Sequence, residues 1–319
     1  MNRISTASIG IVLGALTLVG CGGSGGGADK VVAFPPAIYV ARVDPGNVVS
    51  MADMAGTDWK ELSTPGYPGA LTFDKQGRMI TALYFDAKLV RYSNGETVSE
   101  QTFGSIGSGV NQFDAPTDIA VDNAGRIYVA DSENRRLVRM DNFSGAGWTT
   151  LDLAWLLPDE ASITSPTFSI AVDDSDRIYV LAPADGKILR FNDMSDPTPV
   201  TYGSTGNGVG QFEFPSNITV RPDGSIYIAD PWNSRIVRID DMTGAGWTTY
   251  GTSGNGVGNF TLPTDISFDN LGRIYVLDRN NKRIVRIDDM SGTGWVSYGT
   301  DNTPGGGSGP WCQAIVVKN

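Results

Sequence analysis

The sequence predicts an all-β protein: a six-bladed β-propeller of four-stranded blades, its ring closed by pairing of the C-terminal strand with the N-terminal blade. Three observations predict it. Proline stands before an apolar segment at Pro68, Pro116, Pro166, Pro215, Pro263 and Pro310, at intervals of 48, 50, 49, 48 and 47 residues, and a fixed period of that size marks a repeat array. Each period holds four short alternating segments separated by Gly-rich or Asx-rich turns, the composition of one propeller blade. Finally, the two ends are complementary fragments of one unit. "AIYVARVDPGNVVSMADMAGTDW" at 37–59 aligns without a gap with "SIYIADPWNSRIVRIDDMTGAGW" at 225–247 but has no first strand, and "PWCQAIVV" near the C-terminus has the form of that missing strand.

The elements can be taken in order from the unit at 215–251. Strand a is "NITV", whose alternation suits a sheet, and "RPDG" after it is a turn. Strand b is "SIYIAD", followed by the turn "PWNS". Strand c is "RIVRID", in which Ile236, Arg238 and Asp240 face one way and Arg235, Val237 and Ile239 the other. Apolar residues on both sides are expected of a sheet packed between two neighbours. The turn "DMTGAG" leads to "WTTYG", strand d. The a–b turns "DNAGR" (122–126) and "DNLGR" (269–273) place glycine where a positive φ is needed.

"GVGQFEFPSNITVRPDGSIYIADPWNSRIVRID" resembles an NHL repeat: G-x-G-x-F-x-x-P, an apolar strand, D-x-x-G, I-Y-[VI]-A-D and N-x-R-[IV]. The pattern is strong again at 109–140 and 256–287 and degenerate at 68–92 and 166–191, and the resemblance covers nearly all of 37–319.

The N-terminus reads as an export signal. Arg3 supplies a positive start, and Ile9 to Val19 is an apolar run too short for a typical membrane span. "LVGC" (Leu18 to Cys21) resembles the bacterial lipobox, which implies a signal peptide over 1–20, acylation of Cys21 and a lipid anchor. Gly22, in place of the aspartate of the enterobacterial sorting rule, points to the outer membrane, facing the periplasm or the cell surface. Residues 21–36, with "GGSGGG" at 22–27, form a tether, and fifteen such residues reach roughly 20 Å. The propeller then occupies 37–319. With Cys21 acylated, Cys312 stands alone, and no intrachain disulfide is expected.

Composition narrows the function. The net charge of −11 disfavours nucleic acid as a partner. The sequence contains no histidine, which removes the commonest general base, the usual zinc ligand and every Ser–His or Cys–His dyad. Lyases that depend on histidine, including those acting on streptogramins and peptidyl-hydroxyglycine, are therefore disfavoured, and no catalytic residue is assigned.

The spacing D-x-x-N-x-R recurs at Asp131/Asn134/Arg136, Asp230/Asn233/Arg235 and Asp278/Asn281/Arg283. A motif repeated in three blades suits the blade rather than one active site. Its Asp is expected to cap the b–c turn and pair with Arg, and its Asn to make an Asx-turn. Arg42, Leu83 and Ala182 replace the Asp elsewhere. The pairs Asp240–Asp241 and Asp288–Asp289 are read as turn residues, and Trp59, Trp148, Trp247 and Trp295 as packing residues.

Residues from different blades converge only at the central channel. Ala70, Asp118, Ser169, Asn217, Asp265 and Gln313 fall at the start of strand a and ring one mouth. Asp118, Ser169, Asn217 and Asp265 form an oxygen-rich set suited to a hard cation such as Ca²⁺. The set resembles the calcium site of six-bladed lactonases of the paraoxonase and gluconolactonase type, although the metal-ligating Glu of those enzymes is missing. The b–c and d–a loops lie on the same face and carry Tyr84, Phe85, Glu133, Trp232 and Arg279, a composition suited to a protein, peptide or glycan partner. The expected function is recognition by an anchored monomer without a cofactor. The alternative is a calcium-dependent hydrolase or lactonase.

Overall fold

A computed structural model describes residues 37–42, 46–92, 100–154, 168–196, 198–299 and 312–318. Residues 1–36, on which the expected signal peptide, the acylated Cys21 and the tether fall, lie outside them, as do Pro166 and Pro310. The described chain is all-β, with six four-stranded antiparallel sheets. Blade one takes strand a from Cys312–Lys318 and strands b, c and d from Ala37–Arg42, Asn47–Met51 and Lys60–Ser63. In blades two to six, strand a is Pro68–Phe73, Pro116–Val121, Ser169–Val172, Asn217–Val220 and Pro263–Phe268. Strand b follows at Met79–Leu83, Ile127–Asp131, Ile178–Ala182, Ile226–Asp230 and Ile274–Asp278, and strand c at Lys88–Tyr92, Arg136–Met140, Lys187–Phe191, Arg235–Ile239 and Arg283–Ile287. Strand d is Glu100–Phe103, Thr149–Asp152, Val200–Tyr202, Thr248–Tyr250 and Val296–Tyr298.

Period-two alternation explains how the blades pack. In strand b of blade one, Ile38 and Val40 belong to an apolar cluster shared with Tyr275, Leu277 and Ile284 of blade six. Tyr39 and Ala41 point the other way, into a cluster with Leu71, Met79 and Val90 of blade two. Comparable clusters fill the junctions two–three, three–four, four–five and five–six. Each sheet thus buries both faces, and the ring has no beginning or end.

Closure occurs as the sequence predicts. Val40 pairs with Ile315 and Tyr39 with Val316 in antiparallel register, with an irregularity between Ala41 and Arg42. In blades two, three, four and six the a–b turn is held by the aspartate that opens it, whereas Arg221 opens that of blade five and Asp223 accepts from the Ser225 amide instead. Asp173 Oδ1 accepts from the Ser175 and Arg177 amides at 2.9 Å, and its Oδ2 accepts from Arg177 Nε at 2.6 Å and the Tyr179 hydroxyl at 3.0 Å. Burial and the Asp173 charge push that phenol up to about 12. Glycine takes the positive φ in most of these turns, as at Gly125 (84°), whereas blade four uses Asp176 (61°).

The topology gives the disc two unlike faces. Strand a starts on the face that carries the b–c and d–a loops, and the a–b and c–d turns lie on the opposite face.

Candidate functional site at the loop face and channel mouth

The D-x-x-N-x-R motif builds the loop face. In blade five, Asp230 is fully buried. Its Oδ1 accepts from the Glu213 amide at 2.8 Å, and its Oδ2 accepts from Asn233 Nδ2 at 2.9 Å and Arg235 Nε at 2.8 Å. The other ends of the two partners hold the long d–a loop. Asn233 Nδ2 donates to Gly206 O at 3.0 Å, and Arg235 Nη1 and Nη2 donate to Asn207 O and Gln211 O, both at 2.9 Å. The Arg235 guanidinium also lies over Trp247, 5.7 Å from the ring centroid, a favourable cation–π arrangement.

Blades three and six repeat the arrangement around Asp131 and Asp278. The motif therefore differs in detail from the expectation. The Asp–Arg pair forms, but Asp receives an amide of the d–a loop rather than capping the b–c turn. Asn joins Asp to that loop instead of making a local Asx-turn.

The d–a loops held by the clamps of blades three, five and six carry Ile106, Val110, Val209 and Val257 in solvent. Among the described residues, nine large hydrophobics are exposed: Tyr67, Phe85, Ile106, Val110, Val200, Val209, Trp232, Val257 and Leu271. Seven of them lie on the loop face, Val200 is in an outer strand, and only Leu271 is on the turn face. Phe85 and Trp232 are each 68% exposed. Blades two and five stand opposite each other in a ring of six, so the two aromatics flank the mouth from opposite sides. Phe85 is supported edge-on by Tyr84 at 4.8 Å and Tyr67 at 5.6 Å, and Trp232 packs at a tilt against Phe214 at 5.5 Å.

The remaining predicted face residues divide. Glu133 is exposed, while Tyr84 and Arg279 are half-buried. Burial lowers the pKa of the Arg279 guanidinium. Tyr67, Ile106 and the equivalent Val110, Val209 and Val257 are face residues beyond those the sequence predicts. The available signal was a valine bracketed by glycines or polar residues, repeated in loops where no strand could bury it.

At the channel mouth, the four predicted oxygen-bearing residues link successive blades. An innermost strand has no strand beyond it, so its channel-side amides need other acceptors. Asp118 Oδ2 accepts from Ser169 Oγ at 2.6 Å and the Ile170 amide at 2.9 Å. Ser169 Oγ in turn accepts from the Ile218 amide at 3.2 Å, and Asn217 Oδ1 from the Ile266 amide at 3.3 Å. Asp265 Oδ2 completes the series by accepting from Ile315 of the closing strand at 2.7 Å. Each remaining carboxylate oxygen accepts the next amide of its own strand, at Ile119 and Ile266. Ala70 has no side-chain acceptor to offer, and Gln313 is exposed.

None of the ion pairs among the described residues includes Asp118 or Asp265. Burial raises Asp118 to about 6, against the lowering effect of its hydrogen bonds. Asp265 is pushed well above the usual carboxylate value, first by burial and further by the charge of Asp118, which stands on the opposite blade. An acid whose folded pKa is raised contributes stability below its unfolded pKa and loses that contribution as pH rises through the folded value. For Asp118 the window runs from 3.8 to about 6, a change on the order of 2–3 kcal/mol. Asp118→Asn is expected to flatten that part of the stability curve, as read by urea melts at half-unit pH steps. A variant curve parallel to that of the parent would contradict the assignment.

Comparison with known proteins agrees with this architecture. The NHL repeat family model matches residues 113–140 and 260–287. No curated protein matches the sequence. Among solved structures, a chain of a nidogen–laminin complex is similar with a TM-score of 0.66 and 14% identity, over 88% of this chain and 97% of that one. Virginiamycin B lyase from Staphylococcus aureus is similar with a TM-score of 0.56 and 14% identity, over 82% and 80% of the two chains. A catalytically inactive form of that lyase, carrying a histidine-to-alanine replacement and solved with quinupristin, gives a TM-score of 0.57 and 14% identity over 84% and 82%. The chain is a six-bladed propeller that carries NHL repeats.

Proposed function

We propose that this propeller is an extracytoplasmic binding protein, held to the outer membrane through acylated Cys21, whose loop face takes a protein, peptide or glycan partner. The observation that carries the reading is the one-sided exposure of apolar side chains. Tyr67, Phe85, Ile106, Val110, Val209, Trp232 and Val257 share the loop face, with only Leu271 on the other. Large apolar side chains exposed on one face mark an interaction surface, and the clamped d–a loops of blades three, five and six reduce the ordering cost of binding. The anchor is inferred from Arg3, the apolar run and "LVGC". Because fold does not fix function, the similar lyases do not assign an activity. The catalytically inactive lyase form carries a histidine-to-alanine replacement, and this sequence has no histidine, which argues against that lyase's chemistry here.

A second reading is a calcium-dependent hydrolase or lactonase. It draws on Asp118, half-buried, and Asp265, buried, neither of which forms an ion pair among the described residues. With Ser169 and Asn217 they offer only oxygen donors, as a hard cation requires. Those same atoms accept the amides that join the blades, so a cation would compete with the wall for them. The described residues contain no group of three or more His, Cys, Asp or Glu placed to hold a metal.

One experiment separates the readings. A photo-crosslinking residue placed at Phe85 or Trp232 is expected to trap a partner on intact cells, whereas the same probe at Leu271 is expected to trap none. Phe85→Ser with Trp232→Ser should abolish the adduct formed by a probe at Val209 without changing the melting temperature. Equal trapping from both faces would overturn the recognition reading. A large rise in melting temperature with Ca²⁺, lost in Asp265→Ala with Asn217→Ala, would favour the second reading.

A further inference from the structure

Three copies of the d–a loop are described: "GSIGSGVNQF" at 104–113, "GSTGNGVGQF" at 203–212 and "GTSGNGVGNF" at 251–260. The second and third contain an Asn–Gly step, at Asn207–Gly208 and Asn255–Gly256, where the first has Ser108–Gly109. Asparagine before glycine is chemically labile because the glycine amide nitrogen, with no Cβ in the way, can reach the side-chain carbonyl carbon. Both asparagines are exposed.

The clamping arginine acts on this step. Arg235 Nη1 donates to Asn207 O at 2.9 Å, and Arg283 Nη1 donates to Asn255 O at 2.7 Å. A guanidinium on that carbonyl withdraws charge from the peptide group and stabilises its deprotonated form, the anion that attacks. This activation is common to both loops. The restraint on the nucleophile is not. Gln112 Oε1 accepts from the Gly109 amide at 2.9 Å, and Gln211 Oε1 accepts from the Gly208 amide at 3.0 Å. The third loop has Asn259 at this position, one methylene shorter. Its Nδ2 donates instead to Thr252 Oγ1 at 2.7 Å and to Thr252 O at 3.4 Å. The glutamine brace of the first two loops is therefore missing from Gly256.

We propose that Asn255 is a self-modifying site on the loop face, activated by Arg283 and released by the Gln-to-Asn difference at position 259, whereas Asn207 is protected by Gln211. The Gly256 nitrogen, having lost its proton to solvent base, bonds to the Asn255 side-chain carbonyl carbon. The bond from that carbon to Nδ2 breaks, ammonia leaves, and a succinimide forms. Water then opens the ring to aspartate or isoaspartate. No oxidant or cofactor is needed. The product places a carboxylate two residues from exposed Val257, so the protein's age becomes marked on the face that carries the apolar residues.

The test is peptide mapping by mass spectrometry of the full-length folded protein, incubated at mildly alkaline pH and sampled over days. Asn255 is expected to deamidate several-fold faster than Asn207. Asn259→Gln should slow Asn255 toward the Asn207 rate, and Gln211→Asn should speed Asn207. Circular dichroism melts on each variant report whether the ring is intact, and a denatured sample gives the unrestrained rate of each peptide. Equal rates at the two sites in the folded parent would overturn the proposal, as would an Asn259→Gln variant that melts normally and leaves the Asn255 rate unchanged.

Discussion

Removing Cys312–Lys318 should abolish cooperative unfolding of the ring. The strand is short, but it performs three tasks. It pairs with Ala37–Arg42 from Ala37 opposite Lys318 to Arg42 opposite Cys312. It contributes Ile315 and Val317 to the core with blade six and Ala314 to the core with blade two. It also supplies the amides of Ile315 and Val317, which donate to Asp265 Oδ2 at 2.7 Å and Ser267 Oγ at 2.9 Å. Without it, strand b of blade one becomes an exposed apolar edge, a template for association with other chains. The truncated protein is expected to give a broad, non-cooperative urea transition and to aggregate.

Ile315→Ala offers a graded version, with an expected loss of about 2–5 kcal/mol for a buried isoleucine cut to alanine. Asp265→Asn, which keeps an acceptor oxygen for the Ile315 amide, should cost less. A truncated chain that unfolds cooperatively at the parent's urea midpoint would mean that the ends do not hold the ring.

The closure was legible in the sequence because it depends on period and alternation, which the chain writes out locally. The 47–50-residue spacing of the prolines and the gapless match of 37–59 to 225–247 are properties of one dimension. The same is true of blade number and of which residues belong to strands. The site was less legible because its contacts join residues far apart in the chain. The spacing suggests a local turn-maker at Asn233, yet its side chain reaches Gly206 O, 27 residues earlier. Position at the start of strand a places Asp118 at the channel mouth, but its acceptance from the Ile170 amide, 52 residues later, has no local signal. The stagger between innermost strands decides that contact, and no spacing rule encodes it. Val209 and Val257 are carried outward by the d–a loops, 77% and 76% exposed.

Asp230→Ala should be the most damaging single substitution among the polar residues of blade five. The carboxylate is buried and satisfies the Glu213 amide, Asn233 Nδ2 and Arg235 Nε at once. Its loss would leave a largely buried guanidinium, whose side chain is 12% exposed, without its counter-charge, and Arg235 Nε and the Glu213 amide without an acceptor. Breaking a buried pair from one side costs about 3–5 kcal/mol, because the remaining charge is uncompensated.

Two further measurements separate that cause from simple loss of volume. Asp230→Asn retains an acceptor for the Glu213 amide but not the charge, and should recover only part of the stability. Arg235→Met in the Asp230→Ala background removes the stranded charge while keeping contact with Trp247, so the double variant should be more stable than Asp230→Ala alone. Hydrogen exchange provides the local readout. Amides of 204–212 should lose protection in Asp230→Ala before those of Ile226–Asp230, because Asn233 and Arg235 hold that loop at Gly206 O, Asn207 O and Gln211 O. If exchange accelerates uniformly through the blade, or if the double variant is the weaker of the two, the motif is not a clamp on the loop face. The exposed positions of Val209 and Trp232 would then need another cause.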